Sequence, residues 1–161
     1  MSDFAEITEI IDEIPEIVNS EKFLIFSILD KLYAFPSRLI GEIILYDTVY
    51  PLPLLPPFVL GVVNRYSIPY ALFDIGLLFH KTPSPRKKVL IFKDEIDHIA
   101  FLIDDVAGIA DIQSENVLIL ERNSQSNELS DAIFASFSWN ENDVLVLDVQ
   151  KIINRITQEA V

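Results

Sequence analysis

Apolar residues arrive in two rhythms along this chain. Between Lys22 and Leu147 they come in short runs, several of them unbroken, such as "KFLIFSI" (22–28), "VLIF" (89–92) and "IAFLI" (99–103). Runs of this length, rich in β-branched and aromatic side chains, fit strands better than helices. The first run and "KLYAF" (31–35) are joined by Leu29-Asp30 and predict a hairpin. Further strands are predicted at Glu42–Tyr46, Gly61–Val63, Ile68–Phe73, Val89–Phe92, Ile99–Ile103, Ala107–Ile112, Val117–Leu120, Ile133–Ser138 and Val144–Leu147. Strands this many and this short predict a mainly β fold built of barrels rather than a parallel sheet.

The second rhythm is helical and confined to the two ends. After Asp148, which can accept backbone N–H bonds, Val149, Ile152, Ile153, Ile156 and Ala160 form one apolar stripe and predict a C-terminal helix packed on the barrels. Near the start, Phe4, Ile7, Ile11, Ile14 and Val18 recur at intervals of three and four, with Asp3, Glu6, Glu9, Asp12, Glu13 and Glu16 on the other faces and Pro15 placed to break or kink the helix. That segment reads either as a helix docking on a partner or on the chain's own body, or as an acidic leader without fixed structure.

Between the ends, helical signals are slight: "PSRLI" (36–40) opens on Pro, and Asp74 can cap "IGLLF". "HKTPSPRKK" (80–88) has the composition of a linker and "ERNSQSNELSD" (121–131) of a polar loop. The linker divides the strands into two subdomains meeting near residue 85, the second closed by the C-terminal helix or by exchanged strands. With four glycines in the chain, the turns must rely on Asp, Asn, Ser and Pro.

Composition then removes several function classes. At 161 residues, half of them hydrophobic, the chain suits one domain or two small subdomains sharing a core. A formal net charge of −13 argues against nucleic-acid binding, which needs a basic face; the densest basic run is Arg86-Lys87-Lys88. Seven of the 25 acids lie in residues 1–21, which hold no Lys or Arg, so the acidity is concentrated there and a basic secretory start is lacking. The longest uncharged window, Thr48 to Asn64, has 17 residues and contains Pro51, Pro53, Pro56 and Pro57, which a membrane-spanning helix would not absorb. The absence of cysteine suits the cytoplasm.

Catalytic chemistry finds little support. His80 and His98 stand apart, with no second His or Cys at ligand spacing, and read as surface residues. Asp104 and Asp105 adjoin, but one strand sends neighbours to opposite faces, so one acid is expected in solvent and the other on local backbone N–H groups. The expectation is a protein that is not an enzyme and holds neither metal nor cofactor.

"KFLIFSI", "RLIGEIILY", "PLPLLPPFVLGVVN", "SIPYALFDIGLLF", "FLIDDVAGI" and "VLVLDVQKII" follow one another in an order, and at about the spacing, that resembles the sequence blocks of the CheW family of chemotaxis coupling proteins, over residues 22–157. The resemblance implies two SH3-like five-stranded barrels packed face to face around an apolar seam, with a C-terminal helix. It also implies a cytoplasmic, non-enzymatic scaffold joining the regulatory domain of a CheA-type histidine kinase to the cytoplasmic tips of chemoreceptors. The partner-binding residues it implies are Leu39, Ile40, Glu42 and Ile43 on one stretch, Leu60, Val62, Asn64, Arg65, Tyr66 and Ser67 on another, and Val106. Glu42 matches an acid beside the kinase docking site, or is an ordinary exposed strand residue. Asn64 either bonds loop backbone or touches a partner. Val106 and Ile109 match a motif of the second subdomain whose first role is core packing.

One block departs from the family. Its pattern is roughly G-V-x-N-x-R-G-x-x-x-P-x-x-D, and Gly61, Val62, Asn64 and Asp74 keep it, whereas Tyr66, Ser67 and Ala71 stand at the Arg, Gly and Pro positions. Ser reaches left-handed backbone angles less readily than Gly, and Pro69 predicts an edge or a bulge where it sits. Two other readings remain: a sensor of small molecules using the apolar seam as its pocket, and a divergent paralogue competing for kinase or receptor sites.

Overall fold

The computed structural model describes residues 19–120 and 131–159. Residues 1–18, with the acidic apolar stripe, lie outside the described residues, as do 121–130 and 160–161. Eleven strands are described: β1 (Ser20–Ile28), β2 (Lys31–Pro36), β3 (Ile40–Leu45), β4 (Val59–Arg65), β5 (Ile68–Phe73), β6 (Lys88–Phe92), β7 (Ile99–Ile103), β8 (Asp105–Gln113), β9 (Leu118–Ile119), β10 (Ile133–Trp139) and β11 (Asn142–Leu147). Two α-helices, α1 (Ile75–His80) and α2 (Val149–Glu159), join them. "PSRLI" yields a single 3-10 turn at Ser37–Leu39.

The strands form two sheets, of order β8-β1-β2-β11-β10-β9 and β3-β6-β7-β5-β4. Each curls back on itself. In the first, Trp139 of β10 lies over Gly108 of β8, so closely that a Cβ there would sit 2.9 Å from the indole. In the second, Glu42 of β3 meets Arg65 of β4. Among the described residues no ladder joins either pair of end strands, so the SH3-like subdomains are open along one side, and one has six strands rather than five.

Residue 85 does not separate the sheets. β6 and β7 follow it yet pair with β3 and β5, whereas β1 and β2 precede it and pair with β8 and β11. Of the two closures considered, strand exchange is the one observed: the chain's first hairpin completes the sheet made by its last strands.

Burial explains the unbroken apolar runs. Phe26, Phe35, Phe92 and Phe101, with Leu24, Leu90 and Ile103, fill the seam between the sheets. Phe23, Ile25, Ala34 and Val146 fill one curled sheet, and Val63, Leu72, Val89, Ile91 and Leu102 the other. All five residues of β7 are buried, because one face looks into the seam and the other into its own sheet. A strand buried on both faces needs no polar alternation. β3 and β8, at sheet edges, alternate half-buried with exposed positions.

The two acids proposed as caps do cap. The Asp74 carboxylate, 2 % exposed, accepts from Leu77 N and Ser84 N, each at 3.0 Å, tying α1 to the linker behind it. Asp148 accepts from Gln150 N at 3.0 Å at the head of α2, whose Ile152 and Ile156 are buried. Pro69 sits opposite Asn64 of β4, and the ladder to β7 begins only at Ala71, so its missing N–H falls where β5 has one neighbour. The bulge between β4 and β5 lies instead at Val59/Gly61.

The expected turn chemistry holds only in part. Leu29-Asp30, Tyr66-Ser67 and Asn140-Glu141 each form a two-residue hairpin turn with both φ angles positive, from 48° to 67°. Leu, Tyr and Glu thus occupy left-handed positions that favour Gly or Asn, held there by the strand pairs on either side.

Candidate protein-interaction surface

The sheet that β3 and β4 bound is open between them. A groove of about 530 Å³ runs there, with Ile44 and Leu45 on one wall, Asn64 and Arg65 on the other, and Val63 and Val89 inside. Among the described residues β3 pairs only with β6, and β4 with β5 and, at one position, with Tyr50 of its own preceding loop. Both walls therefore present unpaired edge backbone.

Glu42 and Arg65 pin this opening. Arg65 Nε donates to Glu42 Oε2 at 3.1 Å, and a guanidinium Nη donates to the other carboxylate oxygen, a forked pairing that a Lys would not reproduce. That hydrogen bond raises the guanidinium pKa further, and the same guanidinium lies 4.9 Å from the centre of the Tyr66 ring. Glu42 is thus neither a free docking acid nor an idle strand residue. Tyr66, 83 % exposed, presents its outer face at the tip of the β4–β5 turn.

The sequence-derived set separates. Ile43, Asn64, Tyr66 and Ser67 are exposed around the groove, and Glu42, Leu60, Val62 and Arg65 are half-buried. Leu39, Ile40 and Val106 pack against the seam core and do not form part of this surface. Asn64 is exposed at the groove wall. Ile109 is 62 % exposed rather than packed, for a simple reason: three positions from Val106 on one strand, it points to the opposite face.

Sequence reasoning missed the loop between β3 and β4. Tyr50, Leu52 and Leu54 are more than half exposed and Leu55 is 40 % exposed, extending the apolar area begun by Leu45. The available signal was "YPLPLLPP" itself, since prolines deny those leucines a place in either sheet.

Elsewhere the chemistry is structural. Burial pushes the Asp104 carboxyl up even as it accepts from Leu29 N at 2.8 Å, anchoring the left-handed turn at Leu29-Asp30. Asp105, exposed, bonds Lys88, which lowers its pKa. The two acids thus serve different partners, Asp104 in the bend between β7 and β8 and Asp105 at the start of β8. His98 is exposed against Tyr70, but His80 is half-buried, with its Nε2 3.1 Å from the Tyr33 hydroxyl, which corrects its surface reading.

The Tyr66-Ser67 turn keeps the geometry that the family's Gly would favour, with φ of 67° at Ser67. Ser67→Gly should therefore stabilise the protein by about 1 kcal/mol, read as a higher midpoint of urea unfolding. An unchanged or lower midpoint would show that the Ser side chain offsets the strain.

Comparisons with known proteins agree with this architecture. The family model of the CheW-like domain matches residues 22–157. The fold is similar to the crystal structure of the scaffolding protein TtCheW from Thermoanaerobacter tengcongensis, with a TM-score of 0.69 at 13 % identity, over 79 % of this chain and 88 % of that one. No curated protein matches the chain in sequence.

Proposed function

Because the chain belongs to the CheW-like domain family, we propose that it is a non-enzymatic cytoplasmic adaptor that holds a CheA-type histidine kinase, through the kinase's regulatory domain, against the cytoplasmic tips of chemoreceptors. The observation that carries this reading is the open side of the five-stranded sheet. Two edge strands, a groove of about 530 Å³ and the exposed Leu45, Tyr50 and Tyr66 together offer a partner both backbone and apolar anchors. The seam, by contrast, is packed with the stacked and edge-on rings of Phe26, Phe35, Phe92 and Phe101, which supports the adaptor reading over a sensor of small molecules using that seam.

Titration calorimetry against the kinase regulatory domain and, separately, a receptor-tip hairpin tests the proposal. Saturable binding to both is expected. Tyr66→Ala and Arg65→Ala should each weaken one or both contacts about tenfold or more, as truncation of an aromatic or arginine anchor does. Kinase binding without receptor binding would assign the chain to the competing-paralogue reading, which the altered Tyr66-Ser67 turn favours. Absence of both would overturn the adaptor role.

A further inference from the structure

The six-stranded sheet carries an apolar surface that the adaptor reading does not use. A depression of about 420 Å³ is walled by Phe23, Pro36, Ile112, Val117, Ile119 and Phe134. Beside it runs β9, two residues long and outermost in its sheet, where Leu118 and Ile119 are 63 % and 69 % exposed. An outermost strand with adjacent aliphatic side chains in water invites pairing with whatever reaches it first.

We propose that residues 4–18 of this chain cover the depression, laying the stripe Phe4, Ile7, Ile11, Ile14 and Val18 across it and over Leu118 and Ile119. The described chain begins at its rim. The Asn19 carbonyl accepts from Ser114 N at 2.5 Å, and both Ser114 and Glu21 line the depression. Val18 is therefore the next residue out. Even fully extended, the stretch from Ile14 to Asn19 spans roughly 17 Å, so the nearer half of the stripe cannot leave the neighbourhood.

Tethering also decides who arrives first. A segment attached at the rim acts at an effective concentration on the order of millimolar, so a modest apolar contact suffices where a separate partner would need far more. The stripe matches the surface in kind, apolar on apolar, and the acids on its other faces stay in water. At the rim, Arg38 is exposed and pairs with Glu21 at 3.1 Å, an exposed pairing that leaves a cation beside a segment that contains none. The inference stands whether or not the kinase contact does.

The chain contains no cysteine, which makes crosslinking a clean test. Ile11→Cys combined with Leu118→Cys in the full chain should form an intramolecular disulfide on mild oxidation, at least roughly tenfold faster than Ile11→Cys combined with Leu54→Cys, whose second site lies in the exposed loop of the other sheet. Equal rates for the two pairs, no bond, or bonds only between chains would overturn the proposal, the last by showing that a second copy occupies the surface. Independently, Ile7→Asp with Ile11→Asp should leave the β circular dichroism unchanged and speed amide exchange at 117–119 about tenfold or more. Exchange that does not change would also overturn it.

Discussion

Gly61→Ala should cost about 3 kcal/mol of stability and detach the 46–58 loop from β4. Two independent obstacles act at this position. Its φ is 140°, a region that only glycine enters without strain, and an added Cβ would overlap the Tyr50 carbonyl, 2.8 Å from its carbon and 3.0 Å from the Pro51 Cα. Backbone cannot yield as a side-chain tip can. Tyr50 and Val62 exchange two hydrogen bonds of 2.9 Å beside it, and these hold the loop down. The loop carries Leu52, Leu54 and Leu55, so the same substitution should weaken the proposed kinase contact in the protein that stays folded. Urea unfolding reads the first effect, and exchange of the Tyr50 and Val62 amides reads the second. A loss below about 0.5 kcal/mol would show that the loop is not bound to β4 as described.

Phe101→Ala is expected to do more damage, about 3–5 kcal/mol, and to act on both sheets together. Phe101 is fully buried on β7, with ring centroids 5.0 Å from Phe92, 6.0 Å from Phe35 and 6.4 Å from Phe73. Phe35 belongs to the other sheet, so the ring bridges the seam, and its loss leaves a cavity that neither rigid sheet can fill alone. Trp139, the one tryptophan, lies on the six-stranded sheet and reports from a distance. Its fluorescence and the β circular dichroism should lose stability by the same amount in a single transition. If the tryptophan transition stayed in place while the dichroism shifted, the sheets would be independent units rather than halves of one core.

What could be read from the sequence divides along a physical line. The strands at 68–73 and 99–103 are found at the predicted residues, and the second, buried on both faces, writes itself as an unbroken apolar run bounded by polar residues. The caps at Asp74 and Asp148 were equally legible, being local chemistry. Strand partners were not. Nothing near β2 says that Tyr33 lies beside Leu145, or near β1 that Ser20 faces Gln113. The division near residue 85 failed for that reason: a linker composition marks a loop, not a change of sheet.

The same limit governed the interaction surface. Arg65 was legible as a partner-binding candidate, yet its partner Glu42 is on a strand at the other end of the sheet order, and only the curl of the sheet brings them together. Val106 and Ile109 look alike in sequence and separate because their spacing is odd on a strand. The hairpin turns misled in the opposite sense, since Leu29, Tyr66 and Glu141 take left-handed angles that their own preferences oppose and their flanking ladders impose.

The sheet order also sets a timetable for synthesis. The five-stranded sheet draws on residues 40–103 alone and can assemble once that stretch has left the ribosome. The other sheet begins with the first hairpin, yet β1 must wait for β8 and β2 for β11, so the earliest strands made are among the last to be enclosed. Such distant pairings are slow to form. Until residue 147 emerges, Phe23, Ile25 and Ala34 of the hairpin lack the Val144 and Val146 side of their core, although Phe35 can already meet Phe92 and Phe101 across the seam.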